Sequence, residues 1–160
     1  MTNDPYPEEA GNALDLLGAA QARLCTLFAR WAHRELEEDP HRATLGKKIC
    51  NELARLSQLE SELLYPALAG HVPDAALDAA RQRLEDINTH IAALAPMADA
   101  ESSQDVGPLA DLAETHFTHV NDELYPAARR AVLDLNALGE RMRARAAELT
   151  AEMTLSGGGS

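Results

Sequence analysis

The fold is decided by Glu52-Leu-Ala-Arg-Leu-Ser-Gln-Leu-Glu-Ser-Glu-Leu-Leu-Tyr-Pro-Ala-Leu68 and its counterpart Leu112-Ala-Glu-Thr-His-Phe-Thr-His-Val-Asn-Asp-Glu-Leu-Tyr-Pro-Ala-Ala128. Each stretch carries apolar residues at helical spacing and runs into Leu-Tyr-Pro-Ala. Tyr65 and Tyr125 are 60 positions apart (125 − 65). A repeat of this period indicates one supersecondary unit used twice, so we expect two equivalent helices with the remaining helices packed around them.

The composition fits one helical domain with a strongly acidic surface. The chain has 160 residues, of which 46% are hydrophobic and 4% aromatic, and its net charge is −12. Its many Ala, Leu, Glu and Arg residues favour helix. The negative charge repels phosphate backbones and anionic lipids, so we expect no nucleic acid and no membrane as partner. No apolar run approaches the roughly 20 residues that span a bilayer.

The absence of certain motifs narrows the expected cellular compartment and chemistry of this protein. Residues 1–5 have neither the basic region nor the apolar core of a signal peptide. Cys25 and Cys50 are therefore interpreted as free thiols in a reducing cytoplasm. The chain has no Gly-rich phosphate loop, no Cys-x-x-Cys and no nucleophilic serine motif. We expect a cytoplasmic protein that is not an enzyme.

Helix signals divide the chain into long helices and a C-terminal extension. Pro66 lacks the N–H that a continuing helix needs, so the second helix is expected to kink or end there. After Pro126, the helical pattern either continues the fourth helix or folds back as a fifth. The predicted segments are an N-terminal arm at 1–11, helices at 12–38, 43–65 and 75–95, a fourth helix that starts near Pro108, a helical extension at 127–153, and a flexible Gly/Ser tail at 154–160.

Amphipathic helices with short connections predict an all-α fold, an antiparallel up-down-up-down four-helix bundle over residues 12–153 with a C-terminal helical extension. The inward stripe of each helix repeats every three or four residues. The residues expected in the core are Leu17, Leu24, Leu53, Leu56, Leu84, Ile87, Leu112 and Val120.

The order of these motifs resembles the hemerythrin-like (HHE cation-binding) family. Leu16-Leu17 through Leu27-Phe28 is similar to the family's first helix, and the two segments that end in Leu-Tyr-Pro are similar to its second and fourth. Leu133-Asp-Leu-Asn-Ala-Leu-Gly-Glu-Arg-Met142 resembles the segment that commonly follows. The resemblance covers most of residues 12–150 and implies a four-helix bundle around a non-haem di-iron site.

The resemblance also implies where the metal ligands would lie. The family has a His on helix 1, a His and a Glu four apart on helix 2, a His on helix 3, and a His and a carboxylate on helix 4. The matching positions in this chain hold Gln21, Leu56, Glu60, Leu84, His116 and Val120. Apolar side chains at three of these positions would fill the space that a metal leaves, since an unfilled cavity is destabilising. The resemblance therefore implies a vestigial metal site at Glu60 and His116 and no bound cofactor.

Glu60 and His116 are expected to form a hydrogen bond or an ion pair inside the bundle, because a lone buried carboxylate is costly. Gln21 is expected close to this pair. A surface position for Glu60 is the alternative. His119 could support the site, but a position at the rim beside Glu123 is favoured.

Other polar side chains have simpler structural interpretations. Cys25 lies one turn beyond Gln21 and is expected to be a small buried hydrophobe. Tyr65 and Tyr125 are expected to pack at the end of the bundle with their hydroxyls near solvent. His90 flanks the inward stripe of its helix and is expected to be exposed.

These observations support functions of different classes. The first is a metal-free binding or interaction module whose partner is a protein or a small apolar ligand, and a homodimer is compatible with it. The second is a non-haem iron protein for oxygen or redox sensing or storage, with Glu60 and His116 in an altered ligand set. An enzyme with unrelated chemistry is the least favoured.

Overall fold

The computed structural model describes residues 11–33, 40–94 and 106–158, and most of these are helical. The helices are α1 Ala13–His33, α2 Pro40–Leu59, α3 Tyr65–Leu68, α4 Asp74–Leu94, α5 Gly107–His119, α6 Tyr125–Arg130 and α7 Leu135–Gly158. A first π-turn at Glu60–Leu64 joins α2 to α3, and a second π-turn at Val120–Leu124 joins α5 to α6. No β-sheet forms within these ranges, so the all-α class is confirmed.

Asn12 caps the start of helix α1. The Asn12 side-chain oxygen accepts hydrogen bonds from the backbone N–H groups of Leu14 (2.9 Å) and Asp15 (3.1 Å). The Asp15 carboxylate in turn accepts from the Asn12 N–H at 3.0 Å. This reciprocal arrangement satisfies N–H groups that have no partner inside the helix. The predicted end of this helix near residue 38 and the arm at 1–10 lie outside the described residues.

The second helical run continues through Pro66, so of the two predicted outcomes, a kink or an end, the end is excluded. The first π-turn and α3 carry it through the proline as far as Leu68. The helix ends at Leu68, because Ala69 has a non-helical ψ of 128° and Gly70 after it has a φ of +86°, a conformation that side chains disfavour. The His71 N–H donates to the Leu68 carbonyl at 2.8 Å and closes the turn toward α4.

The segment after Pro126 first continues its helix and then forms a separate one. Helix α6 ends at Arg130, and Ala131 is extended with ψ of 148°. Asp134 then caps the next helix, because its carboxylate accepts from the Ala137 N–H at 3.0 Å. The backbone of α7 continues to Gly158, past the predicted start of the tail at 154.

The core lies between helices that pack along their apolar stripes. Helix α1 contacts α2 and α7, α4 contacts α5, and α2 also contacts α7 and α4. The residues predicted to be buried are buried, except Leu112, which is half-buried and packs against the margin of the core. Among the described residues, no helix has both the length and the apolar character to cross a membrane.

The close approach of α7 to the start of α1 leads to a stability prediction. A Cβ at Gly139 would lie 3.0 Å from the Ala13 backbone nitrogen and 3.1 Å from the Asn12 carbonyl carbon. Gly139→Ala should therefore destabilise the protein by about 1–3 kcal/mol, because backbone must move to admit the methyl group. Equilibrium urea unfolding measures the change.

Gly18 provides the matched control for this prediction. It lies inside α1, and a Cβ there would meet nothing within 4 Å. Gly18→Ala should stabilise the protein by roughly 0.5–1 kcal/mol, because it only removes the entropic cost of a helical glycine. Equal responses of the two variants would contradict the packing described for α7.

Candidate functional site: a hydrogen-bond network around Glu60

The two prolines of the repeat each follow a widened helical turn. In a regular α-helix, Pro66 and Pro126 would each leave a carbonyl without its N–H partner. Instead, the Tyr65 N–H donates to the Glu60 carbonyl, five residues earlier, and the Tyr125 N–H donates to the Val120 carbonyl in the same way. The extra residue in each turn changes the angle at which the following tyrosine leaves the helix. Such π-turns occur often at functional sites.

Glu60 begins the first π-turn and has no exposed surface. Its Oε2 lies 2.8 Å from His116 Nε2, and its Oε1 accepts a hydrogen bond from the Tyr125 hydroxyl at 3.2 Å. The predicted contact between Glu60 and His116 is present. Glu60 points inward, so the alternative of a surface position is wrong. Both carboxylate oxygens are therefore engaged by protein donors.

The hydrogen-bond partner of the other imidazole nitrogen determines which ring nitrogen of His116 carries the proton. Arg83 Nε lies 3.2 Å from His116 Nδ1, and a guanidinium only donates. Nδ1 is thus the acceptor, so the ring proton is on Nε2 and is donated to Glu60. His116 in this geometry is a neutral imidazole that links a buried carboxylate to a half-buried guanidinium.

A second set of donors reaches Glu60 through Tyr125. Gln21 donates its amide to the Tyr125 oxygen at 3.0 Å, and Asn121 donates to the Gln21 carbonyl oxygen at 3.0 Å. Burial and the negative charge of Glu60 raise the pKa of Tyr125 well above its ordinary value, so the phenol keeps the proton that it donates. The continuous chain, called here the Glu60 network, is Arg83, His116, Glu60, Tyr125, Gln21 and Asn121.

Tyr65 is equivalent to Tyr125 in the repeat but has a different environment. It has no exposed surface, and its hydroxyl makes no hydrogen bond within the described residues. Tyr125 of the second repeat donates to Glu60 of the first, so the equivalent acceptor for Tyr65 would be residue 120. Valine at that position has no acceptor atom. Burial, followed by the charge of Glu60, raises the pKa of Tyr65.

Several predictions about individual side chains are corrected by this geometry. The tyrosine hydroxyls do not lie near solvent, since Tyr65 and Tyr125 are both buried. Cys25 is exposed rather than buried, because the inward face of α1 runs through Gln21 and Leu24 and excludes it. His90 is half-buried rather than exposed.

Other site predictions are confirmed by their positions. Gln21 is buried and reaches Glu60 through Tyr125. His119 lies at the rim, where its Nδ1 is 3.3 Å from Glu123 Oε1 and the two side chains are 44% and 54% exposed. His119 therefore makes no contact with the Glu60 network. The apolar residues at the remaining ligand-equivalent positions are all buried, namely Leu56, Leu84 and Val120.

Sequence reasoning missed Arg83, Tyr125 and Asn121 as members of the network. Arg83 precedes Leu84 of the inward stripe, and nothing in the spacing of the apolar residues marks it. The repeat pairs Tyr125 with Tyr65, but it does not indicate that either tyrosine is buried. The π-turn that directs Tyr125 inward is not visible in the periodicity.

The ability of this site to hold a metal depends on its free lone pairs. Within the described residues, no group of three or more His, Cys, Asp or Glu side chains is placed to bind a metal ion. Glu60 and His116 are the residues with suitable chemistry, and both already bind protein partners. Searches of protein families, curated proteins and solved structures found no match to this chain. The family resemblance therefore stays a prediction.

The two tyrosines provide a matched test of the network. Tyr125→Phe removes a donor to a buried carboxylate and should destabilise the protein by about 1–3 kcal/mol. Tyr65→Phe removes a buried hydroxyl without a partner and should be neutral or slightly stabilising. Urea unfolding of both variants measures the difference, and an equal loss in both would show that the Tyr125 contact to Glu60 contributes nothing.

A double-mutant cycle tests the pair at the centre of the network. His116→Leu leaves Glu60 without its strongest partner and should destabilise the protein by roughly 1–4 kcal/mol. His116→Leu combined with Glu60→Leu should recover much of this loss, because no unpaired group then remains. His119→Leu at the rim is the control and should change stability little. A double mutant whose loss equals the sum of the two single losses would show that the pair does not interact.

Proposed function

We propose that this chain is a hemerythrin-like bundle in which protein groups replace the metal, and that it acts as a binding or interaction module rather than an enzyme. In this proposal α1, α2, α4 and α5 run up, down, up and down, with α7 as the extension. The protein is cytoplasmic, and its partner is a protein, a small apolar ligand or a second copy of the chain. The acidic surface argues against nucleic acid.

The observation that carries the proposal is the use of every ligand-capable atom of Glu60 and His116 by the protein itself. Both carboxylate oxygens accept hydrogen bonds, and both imidazole nitrogens have partners. A metal ligand must present a free lone pair, and His116 presents none, because its Nδ1 accepts from Arg83 and its Nε2 carries the ring proton. Coordination by His116 Nδ1 would require Arg83 to leave, and coordination by Nε2 would require the loss of the contact to Glu60.

Arg83 supplies the positive charge that a metal would otherwise bring. The buried negative charge of Glu60 is linked through the neutral imidazole of His116 to the Arg83 guanidinium. A buried anion is stable when a cation and hydrogen-bond donors compensate it. The chain thus has an internal substitute for the cation, and metal uptake would displace a group already in place.

An interaction role suits the way the network uses its reactive groups. The Glu60 carboxylate, the His116 imidazole and the Tyr125 phenol are joined by hydrogen bonds inside the core. The hydrogen bonds of the whole Glu60 network connect α1, α4, α5, α6 and both π-turns. The outer faces of the helices are then the surfaces available to a partner.

One observation favours a second candidate function, a non-haem iron protein for oxygen or redox sensing or storage. The buried Tyr65 hydroxyl has no hydrogen-bond partner within the described residues. Burial and, after it, the charge of Glu60 raise the pKa of this phenol, so a phenolate would form only where a bound metal displaces the proton. A phenolate oxygen is a hard ligand that suits iron. This candidate needs Tyr65 to join Glu60 and His116 in an altered ligand set, with Arg83 displaced.

Metal analysis of protein purified without a histidine tag separates the two candidates. We expect well under one iron per chain and no absorption from an oxo-bridged iron pair, because His116 has no free lone pair in this geometry and Glu60 alone cannot hold two irons. Elemental analysis and the visible spectrum measure this. Two irons per chain that are lost in Glu60→Ala, and kept in the control Glu62→Ala at an exposed neighbouring position, would overturn the proposal.

A further inference from the structure

A cationic surface lies along α2, and none of its residues belongs to the Glu60 network. Two adjoining grooves of about 480 and 940 Å³ share Thr44 and Lys48. One continues along α2 toward Met153 of α7, and the other continues between α1 and α2. Together they are called here the cationic groove, and the basic residues that line it are Arg30, His33, Lys47, Lys48 and Arg55.

The charge of this groove is opposite to that of the molecule. The chain carries a net charge of −12, yet both of its lysines are here. No ion pair joins Lys47 or Lys48 to another residue of the described ranges, and both are exposed. Among the described residues that line the groove, Glu52 is the acid, and it is paired with Arg55 at 2.7 Å and with Arg23 at 3.6 Å. The two lysine charges are therefore available to a ligand.

We propose that the cationic groove binds an acidic, extended peptide segment of a partner protein. The inference rests on the proposed role as an interaction module and names the surface and the chemistry of the partner. Thr44 and Arg55 are 11 residues apart in α2 (55 − 44), which corresponds to roughly 16 Å along a helix. About five extended residues span this distance. Carboxylates on such a segment would reach Lys48 and Lys47.

The overall charge favours a short acidic peptide over nucleic acid. A nucleic acid extends beyond the groove and meets the acidic surface around it, which repels its phosphates. A short segment interacts mainly with charges within a Debye length of about 8 Å at physiological ionic strength. The acidic run Glu35-Leu-Glu-Glu-Asp39, which connects α1 to α2 in the sequence, is the competing occupant within the chain itself.

Fluorescence anisotropy with a labelled peptide of alternating Glu and Ser tests the proposal on the full chain. We expect binding that weakens as salt is raised, since screening acts on exposed charges. Lys47→Glu with Lys48→Glu should bind roughly tenfold more weakly, because each exposed ion pair contributes a few-fold in affinity. Arg129→Glu with Arg130→Glu is the control at an exposed basic pair on α6. It makes the same change in net charge and should leave binding nearly unchanged.

Four outcomes would overturn the proposal. The first is equal weakening in both double variants, which would show a response to net charge alone. The second is tighter binding of a single-stranded oligonucleotide than of the peptide. The third is peptide binding that appears only after Glu35, Glu37 and Glu38 are changed to Gln, which would make the chain's own acidic run the occupant. Absence of binding in every variant would also overturn it.

Iron content is measured separately, so failure of this proposal is distinguishable from failure of the proposed function. An iron-loaded protein that still binds the peptide through Lys47 and Lys48 would keep the groove and overturn the metal-free function. A metal-free protein that does not bind the peptide would overturn the proposal for the cationic groove and leave the metal-free function standing.

Discussion

The burial of the Glu60 carboxylate is the constraint on which the surrounding helices depend. Glu60 is fully enclosed, and removing a carboxylate from water costs several kcal/mol even after the protein relaxes. Hydrogen bonds to a charged group contribute roughly 1.5–3 kcal/mol each, so the contacts from His116 and Tyr125 offset much of that cost. The Arg83 guanidinium adds the compensating charge through His116. The carboxylate is thus tolerated only where these elements meet.

The repeated Tyr-Pro pair explains how the chain brings a donor to that carboxylate. A proline interrupts the hydrogen-bond ladder of a helix, and the helix responds here by widening one turn before it. The π-turns begin at Glu60 and Val120, which are equivalent positions 60 residues apart. Because residue 60 is an acid and residue 120 is not, only Tyr125 gains an acceptor. One difference between two otherwise similar repeats therefore produces a single buried anion instead of two.

The helices were predictable, because apolar spacing reports directly which face of a helix is buried. That spacing left a surface position open for Glu60, and its inward position beside His116 was expected from the alignment of the Leu-Tyr-Pro segments. The roles of Arg83 and Tyr125 were not predictable, because they depend on distances between elements that are far apart in the sequence. Cys25 shows the same limit in another form, since it lies one turn beyond the buried Gln21 and is nevertheless exposed. At Pro66 the sequence left open whether the helix kinks or ends, and the widened turn before the proline is not visible in the apolar spacing.

A polar network inside a leucine-rich core also fixes how the helices align. Apolar stripes that repeat every three or four residues allow two helices to slide by one turn, about 5.4 Å, and still bury leucine against leucine. A hydrogen bond of 2.8 Å between His116 and Glu60 does not survive such a shift. Each slipped arrangement would leave a carboxylate or an imidazole buried without a partner, at a cost of about 1–3 kcal/mol or more. The Glu60 network therefore excludes the competing alignments, and the apolar stripes supply most of the stability of the one that remains.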